Sequence, residues 1–364
     1  LDNSTAPFIF NSLSSLLTQW PNTYHPNGHT IIPGVLEPYT LLYHARKDAQ
    51  VPPPSPEWFA FDPEMSYGIM ASRGGMTFLH TYRNIRPVRV LYFDGMSAAL
   101  SETGWLDSQQ VLVRAANGTT RNPSMFDEYA RARALCAWGE KFGVEGVVRM
   151  NSGFHINITA PGSTPDDDIP PGPPPGVPRD PPGKDRPTAP DAPRRRGPRG
   201  GWSPFGSTGF TEWLRLAAQR GVVPQAHVLL DHASFVTFYH PRLHSLAPAR
   251  SNQTMRQHRI LPNISEADAQ SVLQELAEVL ERPPWRSRGS GMDWGSLARD
   301  IVETWAGRLV QLREFLGNAS TALDAGSSLN TTETLAAVSR LTYSPLNPYM
   351  DTRKSSNSSA WDWF

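Results

Sequence analysis

Val88-Arg-Val-Leu-Tyr-Phe-Asp-Gly95 decides the fold class. Its first six residues are apolar or aromatic at every position but Arg89, and Asp94-Gly95 is a turn pair, so the stretch reads as a strand with an abrupt stop. Downstream, Met125, Tyr129, Ala132, Cys136 and Gly139 recur at the period of one helix face. That helix stops near Gly143, and Val147 to Met150 reads as the next short apolar strand. Strand, helix and strand in succession predict a mixed α/β or α+β domain, a sheet with flanking helices.

Working outward, Thr40-Leu-Leu-Tyr-His44 is an earlier strand. On the far side, Thr211 to Arg220 reads as a helix with Gly221 as its stop. His227-Val-Leu-Leu-Asp231 reads as a strand, and Phe235 to Tyr239 extends or follows it. Ser265 with Asp268 caps a helix whose Val272, Leu273, Leu276, Val279 and Leu280 form one stripe. A second C-terminal helix carries Leu297, Ile301, Trp305, Leu309, Leu312 and Leu316, and Asn318-Ala-Ser and Asn330-Thr-Thr flank a polar loop after it. Between the two halves, Pro161 to Pro204 holds 15 of the 35 prolines and almost no large apolar side chains. Such a composition cannot offset ordering entropy, which predicts a disordered Pro-rich insertion. The expected organisation is therefore an N-terminal α/β part (1–160), the insertion (161–204), a continuation of the α/β part (205–262) and a C-terminal helical region (263–364).

The chain has 364 residues, 39% of them hydrophobic and 10% aromatic, enough for one large core or two ordinary ones. Thirty-four Lys and Arg balance 34 Asp and Glu, which argues against a globally basic nucleic-acid binder. No apolar run approaches the roughly 18 residues of a membrane helix, so no membrane span is expected within this chain.

Eight Asn-x-Ser/Thr sequons occur, at Asn3, Asn117, Asn157, Asn252, Asn263, Asn318, Asn330 and Asn357. Chance would give about two, and the excess predicts N-linked glycans on a protein that is secreted or faces the outside of the cell. Leu1 at the start predicts that a signal peptide or membrane anchor has been removed or left out, and the abrupt apolar ending Trp361-Asp-Trp-Phe364 equally suits the excised ectodomain of a longer, anchored protein. Cys136 stands alone, so no internal disulfide is expected, and its apolar neighbours read as a small buried hydrophobe.

Four residues are candidates for chemistry. His44 ends a strand, where an imidazole can bond a ribose hydroxyl or act as a general base; its other reading is a partly buried ring satisfied by a carbonyl. Residues 56–67 interleave Trp58, Phe59, Phe61 and Tyr67 with Glu57, Asp62 and Glu64, a pattern that suits a sugar or nucleoside and equally describes a strand running into a helix capped by Asp62 or Ser66. Asp94 and Asp231 each close a strand, so the two could share a sheet rim as the paired carboxylates of a glycoside hydrolase. The pairs His25 with His29 and His240 with His244 have metal-ligand spacing, but prolines break the helix each pair needs, and no metal is expected.

Tyr24-His-Pro-Asn-Gly-His-Thr-Ile-Ile-Pro-Gly34, Leu41-Leu-Tyr-His44, Pro56-Glu-Trp-Phe-Ala-Phe-Asp62, Val90-Leu-Tyr-Phe-Asp-Gly95 and Arg149-Met-Asn-Ser-Gly-Phe154 together resemble a family of uncharacterised fungal secretory glycoproteins. Residues 34–95 also resemble the opening of ADP-ribosyltransferase-like domains. That resemblance implies NAD as cofactor, His44 on the nicotinamide ribose and Tyr67 stacked on the nicotinamide ring. Ala45 stands where that pattern has Gly, and Glu145 is the candidate for its third-motif glutamate. Three functions follow as expectations: a secreted or cell-surface glycoprotein without catalysis, an NAD-dependent transferase or glycohydrolase, and a carbohydrate hydrolase.

Overall fold

A computed structural model describes residues 4–19, 26–50, 56–71, 76–100, 103–118, 124, 126–150, 154–158, 228–251, 257–282, 291–326 and 330–347. The Pro-rich stretch and the expected helix at 211–220 lie outside these residues. The described chain falls into two compact units, Leu1–Gly291 and Met292–Phe364.

The first unit is a mixed α+β domain. Helix α1 (Ala6–Thr18) precedes strands β1 (Thr30–Leu36), β2 (Leu41–Arg46) and β3 (Glu57–Ala60). Helix α2 (Pro63–Ala71), strands β4 (Phe78–Arg83) and β5 (Val88–Phe93), and helices α3 (Asp107–Asn117) and α4 (Glu128–Glu140) follow. After β6 (Gly146–Met150) and β7 (Phe154–Ile158), the description resumes at β8 (Val228–Leu230) and β9 (Val236–Thr237), then the short α5 (Ala247–Arg250) and α6 (Glu266–Glu281). The strands form one sheet in the order β4-β2-β3-β7-β6-β5-β1-β8, with β9 also paired to β1. Strands β5 and β6 run parallel, joined through α3 and α4, and the other described pairs are antiparallel.

The strand at 88–93 is apolar at every position but Arg89 because both its faces are covered. Leu91 and Phe93 join Ile31, Val147, Val111, Leu112, Val272 and Leu276 in one core cluster under α3, α4 and α6. Val90 and Tyr92 point the other way, into a cluster with Ile32, Val148, Met150 and Leu16 of α1. Burying each such Val, Leu or Phe is worth about 1.5–3 kcal/mol, so this three-layer arrangement carries most of the unit's stability. Edge strand β4 has water on one side and alternates half-buried with exposed positions.

The helix starts follow from local chemistry. Asp127 accepts from the Ala130 N–H at 3.0 Å to cap α4, and Ser265 accepts from the Asp268 N–H at 3.1 Å to cap α6. The expected α6 stripe is the one that packs, with Val272, Leu276, Val279 and Leu280 buried. Arg89 Nη2 donates to Leu280 O at 2.8 Å, tying the end of α6 to β5. Thus α6 belongs to the sheet domain, and the division expected at residue 263 falls instead between 291 and 292. The α6 stripe can serve a sheet as well as a helical pair, and sequence periodicity does not choose between them.

The second unit contains α7 (Trp294–Asp324) and α8 (Thr331–Leu346), capped by Asp293 and Asn330. Asn318 lies inside α7, which corrects the expected loop flank. Residues 318–324 hold neither Gly nor Pro, and the helix runs on until Gly326, whose φ is +74°. Among the described residues, no helix is long and apolar enough to cross a membrane.

Candidate functional site

The carboxyl ends of β5 and β6 point the same way, and several of the chain's buried polar side chains gather there. In sheets with parallel strands this edge is where ligands are usually held. Asp94 emerges just past β5. Its Oδ1 accepts from the Thr30 N–H at 2.8 Å, and its own N–H donates to Thr30 O at 3.2 Å. Burial pushes its carboxyl up to about 7, against the opposing pull of the Thr30 and His29 N–H groups. A Cβ on Gly28 would lie 2.1 Å from Asp94 O, so only glycine lets the 26–30 loop close over this corner. Gly95, at φ +68°, meets Pro26 O and Gly28 from the other side.

Ser97 braces the two strand ends. Its hydroxyl donates to Phe93 O at 2.8 Å and accepts from the Met150 N–H at 3.0 Å, while Gln109 Nε2 donates to Ser97 O at 2.6 Å. Behind it, Asp107 at the start of α3 accepts from Arg259 Nε at 2.9 Å and Nη2 at 3.0 Å. The same carboxylate accepts from the N–H groups of Ile260 at 2.9 Å and Leu261 at 3.1 Å. His29 stacks on Tyr239 with ring centroids 4.3 Å apart, and the Tyr239 hydroxyl lies 3.1 Å from His258 Nδ1. Burial holds the Tyr239 phenol well above its usual range.

The structure does not bring Asp231 to this corner. Its N–H bonds Pro33 O, three positions along β1 from Thr30, and its carboxylate accepts from the Ala233 N–H and the Ser234 hydroxyl. Asp94 and Asp231 therefore serve different backbone partners at different points of β1. Burial lowers the pKa of neighbouring His232, with Asp231 opposing.

His44 sits at a second corner, on β2, with three strands between it and β5. Its Nδ1 faces Trp58 O at 2.7 Å, which makes that nitrogen the donor. Nε2 faces Glu57 Oε2 at 3.5 Å. Glu57 in turn accepts from the Tyr129 hydroxyl and the Trp58 N–H, each at 2.7 Å. Both ring nitrogens of His44 are thus turned toward protein groups. Tyr67, on α2, is 47% exposed. The Ala45 N–H donates to Ser66 Oγ at 2.8 Å, so the segments bearing His44 and Tyr67 lie side by side. Asp62 caps α2 through the Met65 N–H at 2.7 Å, and Phe59 and Phe61 are core, so much of the 56–67 pattern builds the strand–helix junction. Glu145 pairs with Arg86 at 2.8 Å.

Between the two corners lies a group that the sequence reading passed over. Arg149, near the end of β6, and Arg131 of α4 both ion-pair with Glu128, one carboxylate oxygen each. The Arg149 guanidinium carbon lies 3.9 Å from the centre of the Trp58 ring. Both arginines are almost wholly buried, and burial lowers each to about 9, with Arg149 also lowering Arg131. A single Arg inside the apolar run Val147-Val-Arg-Met150 was the available signal, since charge in a strand covered on both faces needs a reason.

The sequon acceptors Asn117, Asn263, Asn318 and Asn330 are exposed. Asn157 lies on interior strand β7, opposite Val147 and Trp58 in register. Asn3, Asn252 and Asn357 fall outside the described residues. Among the described residues no three His, Cys, Asp or Glu side chains gather as a metal site.

Fold and site define a mixed α+β domain with a parallel strand pair whose carboxyl edge is locked by buried polar groups. Residues 1–77 and 68–160 match, in two overlapping segments, the family model described as the YPL277C N-terminal domain. Two Saccharomyces cerevisiae proteins are similar. Uncharacterized protein YOR389W is 32% identical over 200 residues, 43% of this chain and 31% of that protein. Uncharacterized protein YPL277C is 32% identical over 201 residues, 43% of this chain and 40% of that protein. The chain thus matches well under half the length of either relative. No solved structure matches it.

Proposed function

We propose that this chain is part of a secreted or cell-surface glycoprotein that acts through binding by its sheet domain. What carries the reading is the sequon excess together with the exposure of Asn117, Asn263, Asn318 and Asn330. All four lie at the surface, and Asn263 lies in the turn that precedes the α6 cap. The test is peptide-N-glycosidase treatment of the protein from a eukaryotic host. The expected result is a drop in apparent mass that disappears stepwise as these four asparagines are changed to Gln; unchanged mobility would refute it.

A second reading, an NAD-using transferase or glycohydrolase, is favoured by one observation, the Ala45–Ser66 hydrogen bond that joins the two resembling segments. Such a ligand would have to displace Glu57 from His44 Nε2. Millimolar NAD should then raise the melting temperature of the native chain and fail to do so in His44→Ala. No shift in the native chain removes this reading.

A further inference from the structure

We propose that Arg149, with the Trp58 indole N–H and the charge of Arg131, forms a binding site for an oxyanion group, phosphate or carboxylate, at the carboxyl end of β6. The inference is independent of the secretory reading.

Charge comes first. Two guanidinium groups share the single carboxylate of Glu128, and Asp127 adds an opposite charge on the Arg131 side only. Glu128 spends one oxygen on each arginine and gives neither a two-pronged pair. Glu57 is turned to His44, Tyr129 and its own strand. A buried guanidinium with unmet donors costs several kcal/mol unless an anion completes it.

Hydrogen bonding points the same way. The Arg149 side chain is 3% exposed. Its Nη2 reaches Glu128, but its Nε and Nη1 are buried and meet no acceptor among the described residues. The Trp58 Nε1 donor beside it is in the same condition. Three buried donors, two of them on one guanidinium, call for a ligand with several acceptor oxygens and a negative charge. Arginine is the side chain suited to that task, because its donors are fixed in a plane and it stays charged even when desolvated. Stacking on Trp58 holds the plane still.

Position completes the argument. Arg149 stands at the carboxyl edge of the parallel pair, where such folds place ligands. Its partner Glu128 is 18% exposed and the next residue, Tyr129, is exposed, so the cluster lies near the surface.

The experiment is thermal denaturation and calorimetric titration of the full chain with inorganic phosphate and, separately, acetate, against chloride at equal ionic strength. Saturable stabilisation by phosphate or by acetate is expected, and which one acts identifies the source of the oxyanion. Arg149→Gln should weaken binding by more than about 50-fold, as loss of two charge-assisted hydrogen bonds implies. Arg242→Ala, which removes an exposed pairing with Glu275, should leave binding unchanged. If Arg149→Gln does not fold, Trp58→Phe decides: it keeps an aromatic face but loses the indole N–H, and should weaken binding about 10-fold. Stabilisation by neither anion, or equal stabilisation of a folded Arg149→Gln, overturns the proposal. Equal binding by Trp58→Phe, where that variant decides, does the same.

Discussion

Changing Asp107 to Ala should cost far more stability than changing its ion-pair partner Arg259 to Ala. The carboxylate is 2% exposed by residue and accepts four hydrogen bonds, two from Arg259 and two from the backbone N–H groups of Ile260 and Leu261. Removing it strands two backbone donors and a half-buried guanidinium at once. Breaking a buried charged pair from one side costs about 3–5 kcal/mol, a large share of the 5–15 kcal/mol that holds a domain together. Arg259→Ala, in contrast, leaves the carboxylate with both backbone donors, and the arginine side chain is already 30% exposed. Its loss should cost about 1–2 kcal/mol. The assay is urea unfolding followed by amide hydrogen exchange of β5 and β6, which reads the sheet domain without the second unit. The double variant should cost no more than Asp107→Ala alone, because the pair acts as one latch. Equal losses for the two single variants would show that the backbone bonds contribute nothing and would refute the reasoning.

Asp94 gives a pH prediction. Its folded-state carboxyl titrates at about 7 against 3.8 in the unfolded chain, so between those values the folded form binds the extra proton. Stability from this group is therefore present below about pH 4 and is lost as pH rises through about 7. Asp94→Asn, which keeps the acceptor for the Thr30 N–H, should flatten that fall, a difference of a few kcal/mol between variant and native chain at pH 7.5 compared with pH 4. Parallel pH curves for the two proteins would count against a buried Asp94. At the same corner, Gly28→Ala pushes a methyl to 2.1 Å from a backbone oxygen, and Gly95→Ala adds left-handed strain. Each should lower stability by about 3 kcal/mol or more in chemical denaturation, whereas Gly307→Ala, with open space around it, should be neutral or stabilising.

The strand at 88–93, the capped α6 and the end of α4 were legible because each is written in adjacent residues: an apolar run, a Ser265–Asp268 spacing and a helical stripe closed before Gly143. The Asp107–Arg259 latch was not, since its members lie 152 residues apart and neither has a local signature. Asp94 was visible as a strand-end carboxylate, but its use in holding the 26–30 loop depends on two glycines whose role appears only when the loop and strand meet. His44 was readable as a ring satisfied by a carbonyl, and the structure supplies that carbonyl from Trp58. Arg149 stood in plain view within an apolar run and was read only for its place in a resemblance. What it lacked was its partners, which come from α4 and β3 and are distant in sequence.

The pairing of β1 has a consequence for biosynthesis. One of its sides is met by β5, but the other waits for Leu229 and Val236, roughly 200 residues after Ile31 and Val35. At a translation speed of about 5–20 residues per second, that flank stays open on the ribosome for about 10–40 s. An uncovered apolar flank is a template for wrong partners. Pro33, which has no N–H to offer, interrupts it near its middle, and Gly34 follows. A nascent chain halted before residue 228 should therefore be a strong client for chaperones, and release from them should coincide with emergence of β8 and β9.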